Sequence, residues 1–381
     1  MKSLSGVLVV SMEQAVAAPL CTARLVEAGA RVIKIEREEG DFARNYDSTV
    51  KGESSYFTWL NQGKESVVLN FKKSQDKLLL LSMLKKADIF IQNLKPGTLS
   101  KYKLDSESIS KENPEIITCD ISGYGEGELE MQYKSYDLLV QAESGLLAIS
   151  GAPHAHGRVG ISICDIGAGL TSYAALLEGL IRKYRGFGGC RFKTSLFSVL
   201  SEWMTVPLAQ YEYGGNEVVA EGLRHPSIAP YGAFYTKDQQ LILIAIQNDR
   251  EWSVFCNKIL KNYKLFHDNN YATNESRVVN RVNLENIIQK EFDKFDSLTL
   301  KRNLSECSIA FGMVNNIRDF SNHFALHRQW VSTSAGQKVS FPKTPVNRFF
   351  QNPEKKNDSL RTPKLGEHTK LVKDEFKGIK V

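Results

Sequence analysis

The sequence predicts an α/β protein: a Rossmann-like large domain on a parallel sheet, followed by a smaller α+β domain. Three observations lead there. Short apolar segments alternate with helical ones through the first half of the chain, the rhythm of stacked β-α-β units. The first unit, from Gly6 to Glu36, is complete, with an apolar strand, a helix rich in small residues, a closing glycine and a second strand. From Tyr211 the character changes to Gly/Asn, His-Pro and Ala-Pro turns ahead of a hairpin-like pair. The 381 residues are 42% hydrophobic and 24% charged, enough for two domains. The expected division is 1–200 for the large domain, 201–329 for the small one and 330–381 for a segment returning to the first.

In order, Gly6–Ser11 reads as a buried strand, Ala15–Ala28 as a helix closed by Gly29, and Arg31–Glu36 as the second strand. No G-x-G-x-x-G follows the first strand, so a nicotinamide-binding oxidoreductase is a poor reading. The rhythm continues with strand Ser66–Leu69, helix Lys73–Lys86, strand Asp88–Gln92, helix Ser106–Glu112 and strand Glu115–Ser122. The glycine loop Gly123–Gly127 ends that strand, at the sheet edge where open α/β folds bind ligands, although a plain turn reads as well. Lys193–Gln210 reads as a helix kinked or ended at Pro207. The small domain is read as strands Gly232–Thr236 and Gln240–Ile246 with helices Glu251–Leu265 and Val279–Asp293. The tail Phe341–Val381 reads as extended chain.

The central stretch is Ile161–Arg185. Ile166, Leu170, Tyr173, Leu177 and Leu180 recur at helical spacing, and Gly167, Ala168 and Gly169 leave the first turn nearly bare. Asp165 stands at the mouth of this helix, where the macrodipole favours a carboxylate. Taken alone, the stretch favours an N-cap, since Asp is among the best caps. A reactive carboxylate with small neighbours that admit a substrate is the other reading.

A net charge of +6 is mild and dispersed, which argues against nucleic acid and suits a small polyanion such as a nucleotide. The six cysteines form no C-x-x-C pair and the seven histidines no ligand spacing, so the expectations are a reducing cytoplasm and no metal. No run reaches the ~20 apolar residues of a membrane span.

Eight collinear segments together resemble the family III CoA-transferases, a group that also holds the α-methylacyl-CoA racemases. They are Gly29–Arg44, Tyr56–Lys72, Ala87–Leu99, Ile116–Gly125, Tyr136–Leu146, Ile163–Leu170, Ser308–Val314 and Leu365–Thr369. The resemblance implies that Asp165 is a catalytic nucleophile, that coenzyme A and acyl-CoA are substrates with no permanently bound cofactor, and that the chain forms an intertwined, ring-like homodimer. It implies CoA-binding roles for Arg37 and Lys72 at the phosphates, Asn93 beside the pantetheine, Lys134 near the ADP moiety, and Leu94 and Leu196 along the wall, where ordinary packing serves as well. Lys101 stands where formyl-CoA transferase has arginine, keeping charge and losing the bidentate fork. Oxyanion donors are expected from the helix start or the Gly123–Gly127 loop.

Val16 replaces that enzyme's active-site glutamine, which argues against oxalate and formyl substrates. No run of glycines lies between Gly222 and Leu243, so its covering loop is absent. Tyr136 replaces the histidine that racemases need as second base, and a phenol near pKa 10 shuttles protons poorly at neutral pH. CoA transfer is therefore favoured over racemisation, and both over a non-catalytic CoA-binding module. Arg224 and His225 either present a cation to the second carboxylate of a small diacid, such as succinate, mesaconate, itaconate or citramalate, or are ordinary turn residues.

Overall fold

The computed structural model describes residues 2–215, 217–349 and 360–379. The chain divides into two compact units, Met1–Leu146 with Val159–Asn216 and His327–Val381, and Leu147–Arg158 with Glu217–Leu326.

The first unit is built on six parallel strands: β1 (Leu8–Met12), β2 (Arg31–Glu36), β3 (Glu65–Val68), β4 (Ile89–Gln92), β5 (Ile117–Ser122) and β6 (Cys190–Ser195). Their order across the sheet is β3-β2-β1-β4-β5-β6, the doubly wound dinucleotide-binding order. The strands read as apolar runs because both faces are covered. Val9, Ile89 and Ile117 face one core, and Val10, Ile33 and Phe90 face the other, all fully buried. Gly29 closes α1 (Ala17–Ala28) in the left-handed region, φ 108°, and its N–H reaches the Leu25 and Val26 carbonyls.

The central helix, α6 (Ile163–Tyr184), differs in one respect from its sequence reading. Its buried face is centred on Cys164, Gly167, Ala168, Ser172, Leu176, Gly179 and Leu180, whereas Leu170 is exposed. The glycines serve close packing. A Cβ on Gly169 would lie 2.6 Å from the Ala17 carbonyl oxygen, one on Gly167 2.6 Å from the Trp203 ring, and one on Gly179 2.8 Å from Ile117. They seat the helix against α1, α7 (Leu196–Trp203) and the sheet rather than clearing a path to Asp165.

Lys193–Gln210 is not one helix. Lys193–Ser195 belongs to β6, paired with Asp120–Ser122 of β5. A capping box between Ser195 and Ser198 starts α7, and α8 (Thr205–Gly214) follows after a break at Met204. Pro207 sits in the first turn of α8, where its missing N–H costs nothing, so it opens a helix rather than ending one. Pairing along the free edge of β5 outweighed helical propensity at the start of this stretch.

The tail also departs from extended chain. Its first two residues close strand β11 (Lys338–Pro342), paired with β10 (Arg328–Ser332) and extended as expected, but it ends in helix α9 (Thr369–Phe376). Residues 350–359, 380 and 381 of that expectation lie outside the described residues. Val372 and Phe376 bury in the second core. The Leu365–Thr369 stretch covers the open edge of β3: Ser66 N–H donates to His368 Nδ1 at 3.2 Å and Val68 N–H to Thr369 Oγ1 at 2.9 Å.

The second unit holds a three-stranded antiparallel sheet, β7 (Tyr231–Tyr235), β8 (Leu241–Ala245) and β9 (Ala310–Met313). Trp252, Phe255, Leu284, Ile288 and Phe292 fill its core. The helix read as Glu251–Leu265 is shorter and interrupted, running Asp249–Val254 into a single π turn, Phe255–Ile259. Among the described residues no helix is long and apolar enough to cross a membrane, and no cluster of His, Cys, Asp and Glu could hold a metal ion.

Candidate functional site

The strand order reverses between β1 and β4, and open sheets bind ligands beyond the strand ends at such a point. There a cavity of about 460 Å³ opens, lined among others by Met12, Gln14, Arg37, Asn70, Lys72 and Leu94. Arg37 and Lys72 are exposed, as residues awaiting a solvated anion would be. The Arg37 Nε donates to the Gly40 carbonyl at 3.1 Å, which fixes the arginine's base. Asn93 is committed to the protein: its Oδ1 accepts from Gln14 N–H and its Nδ2 donates to Gln14 O, both at 2.9 Å. These two bonds shape the loop after β1 and use one of the two Nδ2 donors.

Lys101, in a 3₁₀ turn, and Lys134 are exposed and do not line this cavity. Leu196 is buried in the first core beside Val199 and Leu200, a packing position. Arg224 and His225 lie in the second unit. There Arg224 pairs with Glu285 at 2.5 Å, while His225 stacks on Tyr231 and accepts from Ser227 N–H.

The loop after β1 is held from below by a fully buried ionic cluster. Lys64 Nζ lies 2.7 Å from Glu13 Oε1, and Lys34 Nζ lies 2.6 Å from Asp41 Oδ2, with Asn61 Oδ1 accepting from both lysines. Burial opposes ionisation of Glu13, yet the charges of Lys64 and Lys34 outweigh it and hold its carboxyl below the usual range. Lys64 is pulled down to about 8 by burial, with Glu13 working against the fall. The second Asp41 oxygen accepts from Ala15 N–H at 3.1 Å, and Ala15 has φ 61°, a conformation alanine adopts only when its surroundings impose it. Val16, the next residue, is buried and packs with Leu20, Leu60, Tyr56 and Ile166.

Ile166 leads directly to Asp165, the third residue of α6. Asp165 is therefore not the N-cap, a position that falls on Ser162. The capping is done from another helix: Asp137, opening α5 (Asp137–Glu143), accepts from Cys164 N–H at 2.7 Å and from Asp165 N–H at 3.4 Å. Ile163 N–H donates to Ile161 O and Ile166 N–H to Ser162 O. The N–H groups of Ile163, Cys164, Asp165 and Ile166 are thus all engaged. The half-buried Asp165 carboxyl is pushed up to about 7, by burial first and by the Asp137 charge second. Tyr46 faces it, and its phenol is raised to about 12 by burial and by the charges of Asp41 and Asp165. The exposed Tyr136 immediately precedes Asp137.

A larger cavity, of about 740 Å³, adjoins this helix start and is lined among others by Leu20, Tyr56, Trp59, Ser162 and Ile166. The arrangement sets a carboxylate with no hydrogen-bond partner among the described residues near a largely apolar cavity, with a cleft at the strand ends where Arg37 and Lys72 stand among Glu36, Glu38, Glu39 and Asp41. Sequence reasoning missed Asp137, Asp41 and the buried lysines. Lys34 lies within β2 and Lys64 one residue before β3, and nothing in the residues around them marks either as buried.

Residues 4–369 match the profile of CoA-transferase family III. The chain is 33% identical over 379 residues to succinyl-CoA:glutarate CoA-transferase of Mus musculus, covering 98% of this chain and 86% of that one. It is 31% identical to succinate–glutarate CoA-transferase of Agrobacterium fabrum (99% and 96% covered). Among solved structures, a CAIB/BAIF family protein from Brucella suis superposes with a TM-score of 0.83 at 29% identity, covering 99% of this chain and 100% of that one.

Proposed function

Because the chain belongs to CoA-transferase family III, we propose that it moves CoA from an acyl-CoA donor to a small carboxylic acid through covalent intermediates on Asp165. The observation that carries the assignment is the Asp165 carboxylate itself. It is relieved of the capping role by Asp137, has no hydrogen-bond partner among the described residues, and is more basic than an ordinary aspartate. An ionised carboxylate of that kind attacks the thioester carbonyl and expels CoA thiolate, leaving a mixed anhydride. The thiolate attacks the aspartyl carbonyl, releasing the donor acid and forming an aspartyl-CoA thioester. The acceptor carboxylate attacks that thioester, and the returning thiolate takes the acyl group from the second anhydride and frees Asp165.

Arg37 and Lys72 are placed in this reading at the CoA phosphates, with Leu94 along the cleft wall. The names of the two relatives make succinyl-CoA and glutarate the first donor and acceptor to try, in keeping with a small diacid. Racemisation remains the second reading, with Tyr136 where a histidine base would stand. A homodimer belongs to the proposal and is read by light scattering at low micromolar concentration. The decisive experiment incubates the protein with succinyl-CoA and measures intact mass: gain of one CoA, lost on hydroxylamine treatment with hydroxamate left at Asp165, is expected. No adduct under turnover with glutarate present or absent would overturn the covalent route.

A further inference from the structure

Among the described residues Asp137 is the one carboxylate that accepts from the backbone of the proposed nucleophile, and its own position is built. Its Oδ1 takes the Cys164 and Asp165 N–H groups, and its Oδ2 accepts from Gln141 Nε2 at 2.6 Å. Gln141 is 1% exposed and turns its Oε1 to Val159 N–H at 3.0 Å, so Asp137 and Gln141 together pin the chain as it enters α6. The groups facing Asp165 are Asp137 from α5, Cys164 from its own helix and Tyr46 from the turn after β2. Among the described residues of the same unit no lysine, arginine or histidine charge acts on it.

A carboxylate in the first turn of a helix is ordinarily stabilised by free N–H groups and by the macrodipole, and both make it a weaker nucleophile. Here a second carboxylate intercepts that stabilisation. We propose that Asp137 is a positioning residue for the transfer reaction: it takes the α6 N–H groups away from Asp165 and sets a negative charge beside it, leaving the nucleophile oriented but unpaired. The inference rests on the reading of Asp165 as nucleophile. It adds that the acid after Tyr136 is needed for attack by Asp165 as well as for the fold.

The test compares D137N, D137S and D137E with wild type in CoA transfer from succinyl-CoA to glutarate across pH 5–9, with melting temperature measured alongside. Asn and Ser still cap a helix but carry no charge, whereas Glu keeps the charge. The acid limb of kcat/KM, expected near pH 7 in wild type, should move to lower pH by half a unit or more in D137N and D137S. The plateau above it should fall several-fold, since a less basic carboxylate attacks more slowly, and D137E should keep the limb in place. Neutral variants that lose only thermal stability, with the limb unmoved, would make Asp137 a cap and nothing more. Should neither neutral variant fold, infrared difference titration of wild type against D165N decides. Burial alone also raises the Asp165 midpoint, so the same titration is run in Gln141→Leu, which releases the Asp137 side chain. A midpoint below wild type supports the inference, and an unmoved one overturns it. Activity surviving in D165N would refute the nucleophile reading instead, so the two failures are told apart.

Discussion

Replacing Asp165 by asparagine separates structure from chemistry, and the geometry predicts both halves of the result. Among the described residues nothing donates to the carboxylate, and the N–H groups of Ile163–Ile166 are already taken by Asp137, Ile161 and Ser162. Loss of the charge therefore removes no favourable contact. It removes a cost: a pKa of about 7 against an ordinary 3.8 is roughly three units, and at about 1.4 kcal/mol per unit the ionised group opposes folding by at most ~4 kcal/mol, less after solvent screening. The sign follows from linkage. Between pH 4 and 7 the folded protein holds a proton that the unfolded chain has lost, so wild-type stability falls as pH rises through this window. D165N lacks that fall. It should match wild type near pH 4 and melt above it at pH 8, while CoA transfer drops by about a thousand-fold or more, because an amide cannot form and release the anhydride. Thermal melts at the two pH values and a coupled transfer assay read both halves. A variant that melts below wild type at pH 8, or that turns over substantially with deamidation excluded by mass, would refute the reasoning.

Three further outcomes follow from the same geometry. Arg37→Ala, Lys72→Ala and Lys134→Ala each test a phosphate contact; about ten- to a hundred-fold higher acyl-CoA KM with a smaller change in kcat is expected for the first two. A smaller rise is expected for Lys134, which lies outside the cleft, and unchanged KM in all three would displace CoA from it. Lys64→Met leaves Glu13 buried without its nearest cation and should cost about 3–5 kcal/mol in urea unfolding. Gly169→Ala forces a methyl against the Ala17 carbonyl and should cost about 1–3 kcal/mol, with the separation of α1 from α6 visible as a lower melting temperature.

The β-α-β rhythm, the parallel sheet and the place of Asp165 at a helix mouth were legible in the residues alone. Each of these rests on local signals: apolar runs for doubly covered strands, Gly29 in the left-handed region, and helical spacing after Ile163. Arg37 and Lys72 were singled out by the family resemblance, and the fold brings both to one cavity at the strand ends.

The features that no local reading gives depend on residues far apart in sequence. Lys193–Ser195 became strand because β5 offered an unpaired edge, and Leu365–Thr369 found its role by covering the edge of β3 across some 300 residues of chain. Lys34 and Lys64 look like surface charges in sequence, yet they are buried because Glu13 and Asp41 arrive to neutralise them and hold Ala15 in its constrained turn. The cap reading of Asp165 fell in the same way, because Asp137 from a different helix meets the first N–H groups of α6. Periodicity records which face a helix buries. It carries no record of which distant carboxylate meets its first N–H groups, because that meeting is fixed by packing rather than by the residues on either side.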